Sequence, residues 1–153
     1  MLGADPHTAR CGPPNSSANT STCTGAVSCK DGTYVYLITP TSNTACFQVF
    51  LNVLARRFAR QDILLVLDGA PNHRGGNLVV PDNVTLLYLP PYSPELNPKE
   101  NLWDEIREKI FKNYALKSMD AVRAKLKQAI LYMERNPKLV RSITSFPYIV
   151  NSL

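Results

Sequence analysis

Ile63-Leu64-Leu65-Val66-Leu67-Asp68 is the stretch that decides the architecture of this chain. Five consecutive apolar residues, short for a helix, read as a strand buried on both faces. The run stops on Asp68, and aspartate is depleted within strands, so its place there calls for a reason. A second apolar run, Val84 to Leu89, follows a loop containing Pro71, Gly75 and Gly76 and reads as another buried strand. On the N-terminal side, Thr44 to Arg60 sets Phe47, Phe50, Leu51, Leu54 and Phe58 at spacings of three and four, the pattern of a helix with one buried face. Before it, Ala26-Val27 and Thr33 to Thr39 read as strands joined by Lys30-Asp31-Gly32, whose Asp-Gly pair has hairpin-turn chemistry. On the C-terminal side, a proline-rich turn leads into a helix from about Pro98 to Lys112. A further amphipathic helix, about Met119 to Arg135, turns Val122, Leu126, Ala129, Ile130 and Met133 inward and is stopped by Asn136-Pro137. Strands alternating with helices, plus one hairpin, give an α/β domain with a mixed sheet.

The 153 residues are 44% apolar, 8% aromatic and 19% charged, which excludes collagen-like, coiled-coil and wholly disordered chains. Gly32 to Ala55 is uncharged, but Pro40, Ser42, Asn43 and Gln48 interrupt it, so no run of about 18 apolar residues is present to span a membrane. The first fifteen residues hold no apolar core of a secretory signal, and a soluble cytoplasmic protein with reduced thiols is expected. Cys11, Cys23, Cys29 and Cys46 contain no C-x-x-C pair, and neither His7 nor His73 completes a zinc-finger spacing.

The net charge of +5 is unevenly spread: residues 101–153 hold ten Lys/Arg against five Asp/Glu, while residues 1–100 hold seven of each. Lys112, Lys117, Arg123, Lys125, Lys127, Lys138 and Arg141 therefore fit either a solvated helix face or a surface for an anionic polymer. Residues 1–25 read differently from the rest. Sixteen of the first thirty residues are Ser, Thr, Asn, Gly or Pro, without a period of two or 3.6, so residues 1–25 are expected to be irregular or disordered.

Two carboxylates stand out. Asp68 ends the most buried strand, the position where open α/β sheets gather functional groups, although Asp68-Gly69-Ala70-Pro71 also reads as a plain turn. Glu100 is the N3 residue after Asn97 at the N-cap and Pro98 at N1, the arrangement of a capping box. It also borders the apolar stripe Leu102, Ile106, Ile110, so it can face the sheet edge instead. Paired carboxylates bind Mg²⁺ through hard oxygen atoms, and two such ions can clamp the attacking and leaving oxygens of a phosphodiester.

LLVLDGAPNH at 64–73 followed by LPPYSPELNPKENLW at 89–103 resembles the catalytic core of mariner-type DDE transposases of bacterial insertion sequences. The shared pattern is a buried strand ending in Asp68, His73 five residues on, and the turn and helix from Leu89 to Trp103. The resemblance continues with less detail from about Gly25 to the C-terminus. It implies an RNase H-like (retroviral-integrase-like) mixed sheet with flanking helices, and cutting and joining of DNA strands with Mg²⁺ or Mn²⁺. Asp68 and Glu100 would be the second and third metal-binding acids of an Asp-Asp-Glu triad. His73 would sit near the scissile phosphate, although a plain loop histidine fits its position as well. DNA, as transposon ends and target, would be the partner. Lys112, Lys117, Arg123, Lys125 and Lys127 would touch its backbone, and a homodimer associated with the bacterial nucleoid would be the family's working form.

The first triad acid belongs on a strand preceding the hairpin, and no such strand is legible. Asp31 lies in the hairpin turn and Asp62 opens the strand that Asp68 ends. Asp5, in Gly3-Ala4-Asp5-Pro6, has no apolar pattern around it to supply a rigid element. The family's N-terminal helical DNA-recognition region is likewise not legible. The sequence therefore suggests an N-terminally truncated transposase: a partial catalytic domain over 26–153, missing its first strand and weakly active or inactive alone. The alternative is a catalytically inactive DNA-binding remnant. A third reading takes Pro91-Tyr92-Ser93-Pro94 as a P-x-x-P ligand for SH3 domains, but a rigid turn before Glu100 accounts for the same prolines.

Overall fold

The computed structural model describes residues 2–9, 21–91, 96–112 and 118–147. Five strands form one sheet: β1 (Leu2–Ala9), β2 (Ser21–Val27), β3 (Tyr34–Thr39), β4 (Ile63–Leu67) and β5 (Val84–Tyr88). The helices are α1 (Thr44–Arg57), α2 (Pro98–Ile106), α3 (Met119–Arg135) and α4 (Pro137–Thr144). α2 continues into a wider π turn over Arg107–Phe111. The strand order is β3-β2-β1-β4-β5. β1 runs antiparallel to β2, β2 antiparallel to β3, and β4 parallel to both β1 and β5. This is the mixed RNase H-like sheet that the sequence resemblance implies.

One expectation is corrected at the centre of that sheet. The first strand, expected to be missing, is present as β1 and occupies the middle position. The expectation of an irregular segment over residues 1–25 fails with it, because residues 2–9 and 21–25 belong to strands; residues 10–20 lie outside the described residues. The physical reason is that neighbours on both sides impose extended backbone on residues of low β propensity, Gly3, Ala4, Asp5 and Pro6. A register shift separates Leu2 from Asp5, so the strand is bulged there. Pro6, opposite Thr24 of β2, lies past the single β1–β4 pair Leu2–Val66, where a residue without an N–H is tolerated. In β2, Thr22, Cys23 and Thr24 are all buried, so both faces are covered and no alternation marks the strand.

Two apolar layers sandwich the sheet. On one face Phe47, Phe50, Leu51 and Leu54 of α1 pack on Ala26, Val35, Ile63, Leu65, Leu67 and Val84. On the other, Leu102, Trp103 and Ile106 of α2, Leu126, Ala129, Ile130 and Met133 of α3, and Val140 of α4 cover Cys23, Val27 and Tyr34. On that second face Val66 of β4 is buried, but cover thins toward the N-terminal end of β4 and over β5. Leu64 and Leu87 remain 46% and 51% exposed, so β5 is a half-exposed edge strand rather than the second buried strand its sequence suggests. Among the described residues no helix is long and apolar enough to cross a membrane.

Local chemistry sets the ends of these elements. Asn43 caps α1 by accepting the Cys46 N–H at 2.8 Å, and Ser118 caps α3 by accepting the Ala121 N–H at 3.2 Å. In the β2–β3 turn the Thr33 N–H donates to Asp31 Oδ1 at 2.9 Å, and Gly32 takes a φ of 77°. A Cβ on Gly32 would also lie 1.9 Å from the Pro137 carbonyl oxygen, so glycine lets α4 start directly over the turn. Pro137 does not merely stop α3: it opens α4 at N1, a helix the sequence pattern does not reveal.

Adjacent leucines of β4 test the layering. Leu65→Ala, at 0% exposure, should cost ~2–5 kcal/mol in urea unfolding, whereas Leu64→Ala, at 46%, should cost ~0.5 kcal/mol or less. Equal effects would contradict the unequal cover of these two positions. Burial also pushes the Cys23 thiol up to about 11 from its ordinary value near 9, against a smaller downward pull from the Lys99 ammonium. The raised value means the folded state holds the proton more tightly. Its stabilisation is therefore complete below pH 9 and falls as pH rises toward 11, a slope that Cys23→Ala should flatten in melts across that range.

Candidate active site

The C-terminal end of β4 places Asp68 at the rim of the sheet, with its side chain 43% exposed. The chain then turns sharply: the Ala70 N–H donates to Asp68 Oδ1 at 3.1 Å, and Pro71–His73 forms a single 3₁₀ turn. One carboxylate oxygen thus organises the turn, as the turn reading expects, while the group stays partly open to solvent. The 3₁₀ turn folds His73 back under its own strand. His73 Nδ1 lies 2.9 Å from Asp68 Oδ1 and 3.3 Å from the Asp68 carbonyl oxygen. Both neighbours accept, so Nδ1 carries the proton and donates to them.

His73 itself is fully buried, with its ring centroid 4.4 Å from that of Phe47, and Tyr88 Oη donates to its carbonyl oxygen at 2.7 Å. The sequence pattern suggested a residue next to the scissile phosphate. The structure keeps His73 beside Asp68 but shuts its ring from solvent, because the 3₁₀ turn packs it onto α1. Its Nδ1 contact is with the Asp68 carboxylate. Nε2 has no hydrogen-bond partner among the described residues, which a proton on Nδ1 leaves as a lone pair in an apolar pocket.

Glu100 sits in the first turn of α2, half-buried. Asn97 caps that helix, its side chain accepting the Lys99 N–H at 3.2 Å, and Pro98 takes the first position as expected. α2 lies against β1, and β1 pairs with β4, so the strand between the two acid-bearing elements is β1. That strand carries Asp5. Leu2 is level with Val66, two residues before Asp68, and Asp5 follows on the same strand past the bulge. Asp5 lacked a rigid element in the sequence reading; the central strand supplies one.

Carboxylates of Asp68 and Glu100 are hard oxygen donors of the kind Mg²⁺ and Mn²⁺ take, and the Asp68 group is held by two donors without being buried, so the donor set fits such a cation. Among the described side chains no three His, Cys, Asp or Glu gather into one cluster; Asp5 is outside that search because only its backbone is described.

The basic residues of α3 are not brought to Asp68. Arg123, Lys125 and Lys127 lie on α3, which packs at β3, about three strand spacings (~14 Å) across the sheet from β4. Arg123 also pairs with Asp120 at 3.7 Å. Lys112 is exposed after the π turn, and Lys117 lies outside the described residues. The basic group next to Asp68 is one the sequence did not single out, Arg74. A Cβ built on Gly69 would meet its guanidinium at 2.9 Å, and its Cζ lies 5.0 Å from the Tyr88 ring centroid. Only the fold brings 69, 74 and 88 together, so no spacing signal marks it.

A family described as DDE superfamily endonuclease has a sequence profile that matches residues 5–123. A Sinorhizobium fredii protein described as uncharacterized is 38% identical over 99 residues, which cover 64% of this chain and 73% of that one. The Mos1 strand transfer complex shares the fold with a TM-score of 0.53 at 15% identity, over 90% of this chain and 47% of its own. The simian T-cell lymphotropic virus intasome, solved with a PP2A regulatory subunit, gives 0.51 at 12% identity, over 82% and 46%. The catalytic core domain of BIV integrase gives 0.50 at 18% identity, over 85% and 80%. The chain thus spans about half the length of the first two solved chains, and the likeness is one of fold.

The bond between His73 and Asp68 predicts energetic coupling. A double-mutant cycle with Asp68→Ala and His73→Leu, measured by urea unfolding, should return ~0.5–2 kcal/mol. His73→Asn, which keeps a donor near Nδ1, should recover part of it. Additive single effects would show that the contact carries no energy.

Proposed function

This chain belongs to the DDE superfamily endonuclease family, and on that premise we propose that it cuts and joins DNA strands as a mariner-type transposase, with Asp5, Asp68 and Glu100 as its three acids. The observation that carries this reading is the central β1, which bears Asp5, pairs with the strand ending in Asp68 and lies against the helix bearing Glu100. The absence of that strand was the reason to expect an inactive fragment, and the reason falls away.

Endonucleases of this superfamily generally depend on divalent metal ions. Here Asp5, Asp68 and Glu100 would hold Mg²⁺ or Mn²⁺. When bound, the ion supplies Lewis-acid polarisation of the phosphodiester and of the attacking oxygen. The chain's own groups do the positioning. The His73 Nδ1–H and the Ala70 N–H fix the Asp68 carboxylate plane before substrate arrives, so no reorganisation is needed when charge develops. The attacking oxygen, from water or a DNA 3′-hydroxyl, bonds to phosphorus as the bond to the leaving oxygen breaks, and no side chain forms a covalent intermediate. Lys112, Lys117, Arg123, Lys125 and Lys127 would contact DNA backbone, those of α3 away from the cutting point, contributing affinity without sequence discrimination.

Purified full chain incubated with supercoiled plasmid in Mg²⁺ or Mn²⁺ should nick or cut it, and chelation should stop the reaction. Asp5→Asn, Asp68→Asn and Glu100→Gln should each lower the rate by ~100-fold or more, and His73→Leu by ~10–100-fold. Full activity of Asp5→Asn would remove that residue from the triad. DNA binding with no cleavage by the unsubstituted chain would instead support the inactive DNA-binding remnant.

A further inference from the structure

We infer that Arg74, clamped between the Tyr88 ring and the Gly69 backbone, is a binding site for a DNA backbone phosphate immediately beside Asp68. The inference rests on the DNA-processing reading above and adds a residue and a contact to it.

Three features hold the guanidinium in place. Arg74 ends the 3₁₀ turn, its N–H donating to the Pro71 carbonyl at 3.2 Å. Its Cζ lies 5.0 Å from the Tyr88 ring centroid, within cation–π range. The ring is itself fixed, because Tyr88 Oη donates to the His73 carbonyl at 2.7 Å. On the other side Gly69 has no side chain, and a Cβ there would sit 2.9 Å from Arg74 Nη2. Gly69 follows Asp68 directly, so the guanidinium packs on the residue next to the one that bears the carboxylate.

Its charge is also uncommitted. Arg57, Arg107, Lys109 and Arg123 pair with Glu134, Asp104, Glu105 and Asp120. Among the described residues no carboxylate pairs with Arg74, and it is exposed. A fixed, solvent-open guanidinium loses little entropy on binding, and its planar fork matches two phosphate oxygens. A simple surface stack that shields Tyr88 would use the same contact with the ring. It would affect stability, however, and not the salt dependence of DNA binding.

The test measures binding of the full chain to a fluorescein-labelled duplex by anisotropy, without divalent metal, across a series of salt concentrations. Arg74→Gln should weaken binding ~3–10-fold and reduce the slope of log K against log salt by about 0.9, the value of one phosphate contact. Gly69→Ala, which displaces the guanidinium without changing net charge, should weaken binding in the same direction. Arg60→Gln removes an equal charge near the opposite end of β4 and should leave the slope unchanged. An unaltered slope in Arg74→Gln, or an equal loss in Arg60→Gln, overturns the Arg74 assignment while DNA processing stands. A chain that binds no DNA at all overturns both.

Discussion

Everything in this molecule depends on the backbone pairing of β1 on both its edges. β2 is otherwise bonded only to β3, and β4 only to β5. Without β1 the sheet divides into two two-stranded ribbons, each marginal in water and each with an exposed inner edge. β1 joins an antiparallel half to a parallel half. It carries Asp5 past its bulge, pairs at Leu2 with Val66 of the strand that leads to Asp68, and contacts the helix that bears Glu100.

The unequal cover of the two faces follows from the same frame. α1 spans the sheet from Ala26 to Val84, while α2, α3 and α4 crowd over β2 and β3. Beyond the ends of β4 and β5, on the side of α1, Arg74 packs on Gly69, next to Asp68, and on the ring of Tyr88. His73 links this rim to the interior: its ring packs on Phe47 of α1 while Nδ1 holds Asp68. A core contact is thereby converted into the orientation of a surface carboxylate.

Legibility varied with the kind of signal. β4, α1 and α3 were readable because each carries a periodicity of its own, and Asn97-Pro98 announced the start of α2 through capping chemistry that acts within one turn. β1 was not, since Gly3, Ala4, Asp5 and Pro6 disfavour an isolated strand and only two neighbours make it one. β2 escaped in part because Thr22, Cys23 and Thr24 are buried on both faces, and its threonines resemble a polar loop in composition. α4 was missed because Pro137, which ends one helix, also begins the next.

The sequence alone determined the α/β class and the family resemblance, and it singled out Asp68 and Glu100 as candidates, since these rest on local periodicity and on motifs contiguous in the chain. Only the tertiary structure decided that the first strand exists, that His73 faces Asp68 from a buried position, and that Arg74 lies beside the site while the basic residues of α3 lie across the sheet. Those facts depend on pairing and packing between residues far apart in sequence, and no local pattern encodes which distant strand will satisfy a backbone hydrogen bond.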